Sequence, residues 1–290
     1  MSGRISKART LCSPSRHLSH CVQEHNRYEM MIRTVTVTRY VTPLREGGSV
    51  PAIVEADDLG TYVLKFRSAG QGPKVLIAEL VAGEIGRALG LPVPEIVFAD
   101  LDPVLGRSEA HQEIRQMILA SGGLNLALDY LPGSFAYDPA AARPSDPDFA
   151  SAIVWFDAFI SNVDRTARNT NMLLWHKQVW LIDHGASLTF HFSWPAFRER
   201  MHSAFPLVRQ HVLLPFATAL READARLSAL LTPDVLAAIV AQIPDAWLDE
   251  DQNFADPTQH RDAYLEYLTQ RLAGPRAFVE EAIRAQSQLV

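Results

Sequence analysis

NVDRTARNTNMLLWHKQVWLIDHG, residues 162–185, decides how the rest of the chain is read. Asp164, Asn169 and Asp183 stand here among apolar runs, beside the basic side chains Arg165, Arg168 and Lys177. Taken singly, such residues are turn and cap formers, because Asp and Asn side chains bond to their own backbone. Taken in order, with a strand-like VWLID closing the stretch, they supply what metal-assisted phosphoryl transfer needs. That chemistry requires a carboxylate near the acceptor hydroxyl, oxygen ligands for magnesium and a cation on the nucleotide phosphates. The apolar segment FASAIVWFDAFISN (149–162) reads as a helix running into this loop, so Asp164 follows its end. The strand VWLID returns Asp183 to the same side of a hairpin.

The chain around this stretch is globular in composition. Its 290 residues are 48% hydrophobic and 21% charged, enough apolar material for a sizeable core. A net charge of −6 argues against a protein whose main business is binding nucleic acid. No apolar run reaches the roughly 18 residues of a membrane span. Both cysteines, Cys12 and Cys21, lie in the first thirty residues, so the body is neither disulfide-built nor a cysteine-ligated zinc site. A cytoplasmic location is expected. Residues 1–31 are polar, rich in Ser, Arg and His, and read as a disordered tail. Met30 and Met31 just ahead of the first strand are also compatible with a misassigned start.

From Arg33 the texture changes. RTVTVTRYV (33–41), AIVEADD (52–58) and TYVLKF (61–66) alternate as strands do, the last two joined by a tight turn at Leu59-Gly60. VLIAELVAGEIGRALG (75–90) has helical spacing and ends at a glycine. LPVPEIVFADL (91–101) is extended, 105–120 helical, and NLALDYLPGS (125–134) a strand followed by a Pro-Gly turn. Beyond Pro147 helices dominate, among them 232–248 and 261–274. The expected fold class is α+β, with a strand-rich first part and a helix-rich second part.

Lys65 closes an apolar strand, where a charge needs a partner. Glu79 and Glu84 on the next helix are the candidates, Glu79 being favoured. Gly47-Gly48 forms a turn one strand earlier. Asn171 is an alternative to Asn169 as a ligand. His184 is expected to pack, and His191, His202 and His211 lack metal-ligand spacing. Trp155, Phe156, Phe159, Trp175 and Trp180 are read as core, and DAWLDEDQNFAD (245–256) as a solvated acidic loop.

The order of glycine turn, strand lysine, helix glutamate, Asp-x-x-x-x-Asn loop and Asp before Gly resembles the protein kinase-like fold. NVDRTARNTNMLLW, WLIDHGASLTF and AELVAGEIGRALGLPVPE are similar to segments of the HipA-like kinase family, and the first two also to phosphatidylinositol kinases. The resemblance covers roughly 33–275. It implies a two-lobed α+β fold, with a small strand-rich N-lobe over 32–124 and a hinge with a larger helical C-lobe over 125–290. It implies an ATP- and magnesium-dependent kinase acting on a hydroxyl, foremost a protein Ser or Thr. In that frame Asp164 orients the acceptor, Asn169 and Asp183 bind magnesium, and Lys65, paired with Glu79, contacts the phosphates. Gly47, Gly48 and Ser49 cover the phosphates, and Leu128 and Tyr130 in the hinge meet the base. An unidentified protein substrate and an antitoxin-like partner are the partners implied. The sequence departs from ordinary protein kinases in having Asn162-Val163 before Asp164, His184 after Asp183, and REGGSVP where a longer glycine-rich loop would stand. A small-molecule or lipid kinase, an inactive nucleotide-binding relative and an interaction protein remain the alternatives.

Overall fold

A computed structural model describes residues 31–44, 50–139, 146–249 and 251–289. The first strands obey their alternation, except beyond Val37, where two register shifts break it. β1 (Thr34–Pro43) sends Val35 and Val37 inward, and β2 (Ala52–Ala56) and β3 (Thr61–Lys65) form the expected antiparallel hairpin. Helix α1 (Pro73–Ala88) begins two residues before the expected start, with proline in its first turn, where no amide hydrogen is missed. It is buried almost all round, as an apolar helix must be. β4 (Ile96–Leu101) follows.

The helix expected over 105–120 is instead a 3₁₀ turn at Pro103–Ser108 and then α2 (Gln112–Ala120). β5 (Gly123–Asp129) completes a closed barrel in the order β1-β2-β3-β5-β4, with β1 and β4 joined in parallel. Period-two alternation gives the barrel two different faces. Val54, Leu64, Val97 and Ala127 fill its interior, whereas Ile96, Leu126 and Leu128 point outward into the core shared with the helices.

β6 (Phe135–Ala136) pairs with the hairpin described below. Helix α3 (Pro147–Ile160) is capped by Asp146, whose side chain accepts from the Asp148 amide, and is buried from Ala150 to Ile160. β7 (Met172–Trp175) and β8 (Gln178–Leu181) are joined through His176 and Lys177. Both turn residues have positive φ, at 49° and 65°, which matches a tight hairpin to the twist of its strands.

Residues 189–216 carry mainly 3₁₀ turns, with one short helix, α4 (Phe197–Arg200). α5 (Leu220–Leu230), α6 (Pro233–Val240), α7 (Pro257–Ala273) and α8 (Ala277–Ser287) finish the described part. The helix expected over 232–248 therefore ends at Val240. Pro244 disfavours helical backbone at Ile243, and only a 3₁₀ turn at Asp245–Trp247 follows. The helical part is tied together by Arg271, whose buried guanidinium donates to the carbonyls of Phe159 at 2.8 Å and Ala158 at 3.0 Å. A cation at the carboxyl end of α3 suits the helix dipole and holds the end from which the loop of interest departs.

Candidate active site

Lys65 is the last residue of β3 and, by alternation, points out of the barrel toward the helical part. Its Nζ lies 2.5 Å from Asp183 Oδ1 and 3.4 Å from Glu79 Oε2. Burial alone would lower the ammonium pKa, but the two carboxylates outweigh it and raise the value. Glu79 is 1% exposed, and burial would raise its pKa, yet the charge of Lys65 holds it below the ordinary value. Glu84, the other candidate, pairs instead with Arg87 on its own helix at 3.2 Å.

Asp183 sits two residues beyond β8 rather than on it, with φ of 58°. His184 is fully buried, edge-on to Phe156, with Nδ1 3.5 Å from Glu79 Oε1. Gly185 lies so close to α1 that a Cβ there would stand 2.7 Å from Val75 Cγ1. Among the described residues, both Glu79 oxygens and both His184 nitrogens lack a hydrogen-bond partner. Their contacts are at ion-pair distance.

The loop bearing Asp164 is organised differently. α3 ends at Ser161 in the left-handed conformation, and the Asn162 amide bonds back to the Asp157 carbonyl at 2.8 Å. The Asp157 carboxylate, buried in the last turn of α3, receives Asn162 Nδ2 at 2.9 Å, Arg165 Nε at 2.5 Å and His211 Nε2 at 2.9 Å. His211 Nδ1 accepts from the Leu213 amide at 3.0 Å, so Nε2 carries the proton given to Asp157. Burial would raise the Asp157 pKa, but Arg165 and His211 outweigh it and lower the value. Arg165, also buried, donates to the Asn171 carbonyl, and its own carbonyl accepts from Val212.

This framework sets Asp164. Its amide bonds to Asn162 Oδ1 at 3.0 Å, and its Oδ2 accepts from Asn169 at 2.7 Å and Asn171 at 3.2 Å. Asn171 also reaches the Asp183 carbonyl at 3.5 Å. Asn171 thus touches both acidic segments, whereas Asn169 is exposed and touches Asp164.

Of the remaining expected residues, Leu128 lies on the outer barrel face opposite Val63 and Ile96, and the Tyr130 amide bonds to the Thr61 carbonyl at 3.0 Å. Gly47, Gly48 and Ser49 lie outside the described residues. Sequence reasoning passed over Asp157 and His211 as organisers of the loop. The only hint was a carboxylate inside an apolar helix, a position too costly to keep without a cationic partner. It also passed over Ile53 and Val63. They are paired across β2 and β3, half-buried, and share the outward face with Lys65. The acidic stretch 245–256 is not wholly solvated: Trp247 is buried, and Asp251 binds Lys74 at 2.9 Å.

The donors gathered here are carboxylate and amide oxygens, with the His184 and His211 imidazoles both buried. That set fits a hard cation such as magnesium, which keeps waters and phosphate oxygens as further ligands. Among the described residues no three His, Cys, Asp or Glu side chains form a metal cluster by themselves, and no helix is long and apolar enough to cross a membrane.

Among curated proteins none matches the chain. Among solved structures, the Helicobacter pylori proinflammatory kinase CtkA is similar with a TM-score of 0.51 at 12% identity, over 82% of this chain and 94% of that one. The Golgi casein kinase solved with Mn/ADP bound gives a TM-score of 0.44 at 11% identity, over 87% of this chain and 73% of that one. At such identities the likeness to CtkA bears on the fold alone. A family model described as HipA-like kinase matches residues 37–278, from within β1 to the start of α8. With the strand-borne lysine, its helix glutamate and the two acidic segments all inside that span, the chain belongs to the HipA-like kinase family and is a kinase.

Proposed function

We propose that the chain transfers the γ-phosphoryl group of ATP, with magnesium, to the hydroxyl of a protein Ser or Thr. The observation that carries this reading is the meeting of Lys65, Glu79 and Asp183, with Asp164 linked to Asp183 through Asn171. In this reading Lys65 binds the α- and β-phosphates and Glu79 holds it there. Asp183, with Asn169 or Asn171, holds magnesium, which supplies charge neutralisation on the phosphates. Asp164 Oδ2 is taken by two amides, which leaves Oδ1 to accept the hydrogen of the acceptor hydroxyl and align its oxygen.

Ile53, Val63, Leu128 and Tyr130 offer the base an apolar contact, and Gly47, Gly48 and Ser49 cover the phosphates. The barrel then acts as a small lobe over about 32–124 and the rest as a hinge and larger lobe over 125–290. The site works in the cytoplasm on a protein substrate, and an antitoxin-like partner would restrain it.

The test is ATP turnover with magnesium, together with intact mass to detect self-phosphorylation, in wild type, Asp164→Ala and Asp183→Ala. The reading expects turnover in wild type and a loss of about 10²–10⁴-fold in both variants. ATP that protects wild type against heat without any turnover would sink the transfer reading and leave a binding module. Turnover with small hydroxyl compounds or lipids but not with proteins would overturn the acceptor.

A further inference from the structure

Lys74 occupies a position that local physics disfavours. It is the second residue of α1, whose amino end carries the positive pole of the helix dipole, with no acidic residue in the first turn and no side-chain cap on Gly72. Its partners come from elsewhere. Nζ donates to the His191 carbonyl at 2.8 Å and pairs with Asp251 Oδ2 at 2.9 Å. The same Oδ2 accepts from Trp194 Nε1 at 3.0 Å, while Asp251 Oδ1 takes the Asn253 amide at 3.1 Å and its side chain at 2.6 Å. Asp251 is therefore a fixed anion. Trp194 anchors it to the aromatic packing around Tyr264.

The next residue, Val75, meets Gly185 in the segment following Asp183. The first turn of α1 is thus gripped twice, by the Asp251 loop through Lys74 and by the Asp183 segment through Val75. Glu79 lies about 7.5 Å further along the same helix at 1.5 Å per residue. A helix is stiff, so a restraint on its first turn bears on where Glu79 reaches toward Lys65, together with the packing along its length. Among the described residues Glu79 has no hydrogen bond of ordinary geometry, so the placement of α1 bears directly on its 3.4 Å distance from the lysine.

We propose that Lys74 and Asp251 form a clamp that sets α1, making both of them positioning residues that act on Lys65 through Glu79. The inference rests on the phosphoryl-transfer reading above for its effect on activity, and on geometry alone for its effect on the helix. In protein kinases the placement of this helix is a point of control, often through a phosphate on the loop after the metal-binding Asp. Here the chain supplies the anion itself, as a carboxylate.

The experiment compares wild type with Lys74→Met, Lys74→Arg, Asp251→Asn and Glu79→Gln, and with the double variant Lys74→Met/Glu79→Gln. Asp251→Asn keeps one oxygen for Trp194 and removes both the charge that Lys74 needs and the acceptor that holds Asn253, so Lys74→Met is the cleaner of the two variants. Expected is a fall of about tenfold in kcat/KM for ATP in Lys74→Met and Asp251→Asn, with most of it restored in Lys74→Arg. In the Glu79→Gln background, Lys74→Met should add less than about threefold, because both changes act through one contact. Full additivity in that cycle, or wild-type kcat/KM in Lys74→Met, would overturn the clamp. Amide exchange across residues 76–82 gives a readout that needs no turnover, and it should quicken selectively in Lys74→Met. If wild type fails to turn over ATP, the functional reading falls, and exchange alone decides the clamp: unchanged protection of α1 overturns it.

Discussion

The two acidic segments of the site are held in opposite ways. Asp157, beneath the Asp164 loop, takes four donor contacts on two oxygens, from Asn162, His211 and both Nε and Nη2 of Arg165. Glu79, beneath the Lys65–Asp183 pair, is as deeply buried and has neighbours at 3.4 and 3.5 Å, but among the described residues none of them meets hydrogen-bond geometry. A buried carboxylate with every lone pair engaged is a strut, and removing it exposes its partners' charges to an apolar core. A buried carboxylate held only by charge at longer range can yield as its partner turns to another anion. The first arrangement belongs to scaffold, the second to a site that exchanges partners.

The sharpest way to break this contrast is to remove each carboxylate in turn. Asp157→Ala should destabilise the fold by about 3–5 kcal/mol, since it strands the buried Arg165 charge. Glu79→Gln should move the melting temperature little, because Lys65 keeps Asp183, while turnover falls by about a hundredfold. Equal melting losses in the two variants, read by calorimetry, would erase the distinction.

A second measurement probes how tightly α1 is pressed onto the Asp183 segment. Gly185→Ala brings a methyl to 2.7 Å from Val75 Cγ1 and should cost about 1–3 kcal/mol. Adding Val75→Ala should restore much of that loss. No restoration would place the strain in the backbone of the segment rather than at the helix contact.

The smallest effect is one of pH. His191 is buried with its Nδ1 2.9 Å from the Tyr264 hydroxyl. Burial first, then the charges of Lys74 and His260, lower its pKa to about 3, against an opposing pull from Asp251. The unfolded imidazole takes up its proton near 6.5, so below that value the unfolded chain binds more protons than the folded one. Stability is therefore fully present above about pH 6.5 and drains away as pH falls toward 3. His191→Gln should flatten the fall in melting temperature as pH drops from 7 to 5, through that ordinary value. An unchanged slope would assign the loss to other groups, His260 among them.

Much of this was legible before any coordinates. The alternation in 34–37 and Thr61–Lys65 names their inward faces, though not beyond Val37, where the pairing shifts register, and a lysine closing an apolar strand calls for the glutamate that α1 supplies. Local pattern reaches no further than local contacts. Asp157 meets Arg165 eight residues away but His211 only 54 residues on, and no periodicity announces the latter pair. Residues 189–216 turn mostly in 3₁₀ steps and offer no repeat to read. Asp251 looked like one more acid in a polar run, because its partner Lys74 lies on a helix far upstream.

The parallel seam between β1 and β4 has a consequence of another kind. Strand sheets expose backbone donors and acceptors along their edges, and such edges recruit other strands. β1 covers β2 along one side and, through Thr34–Thr36, β4 along the other, so the ring has no outermost strand. A chain shortened past Pro43 would uncover two edges at once, flanking an opened apolar interior. Such a protein would lose more than a few contacts: it would acquire two sticky rims, and its failure would take the form of edge-to-edge assembly.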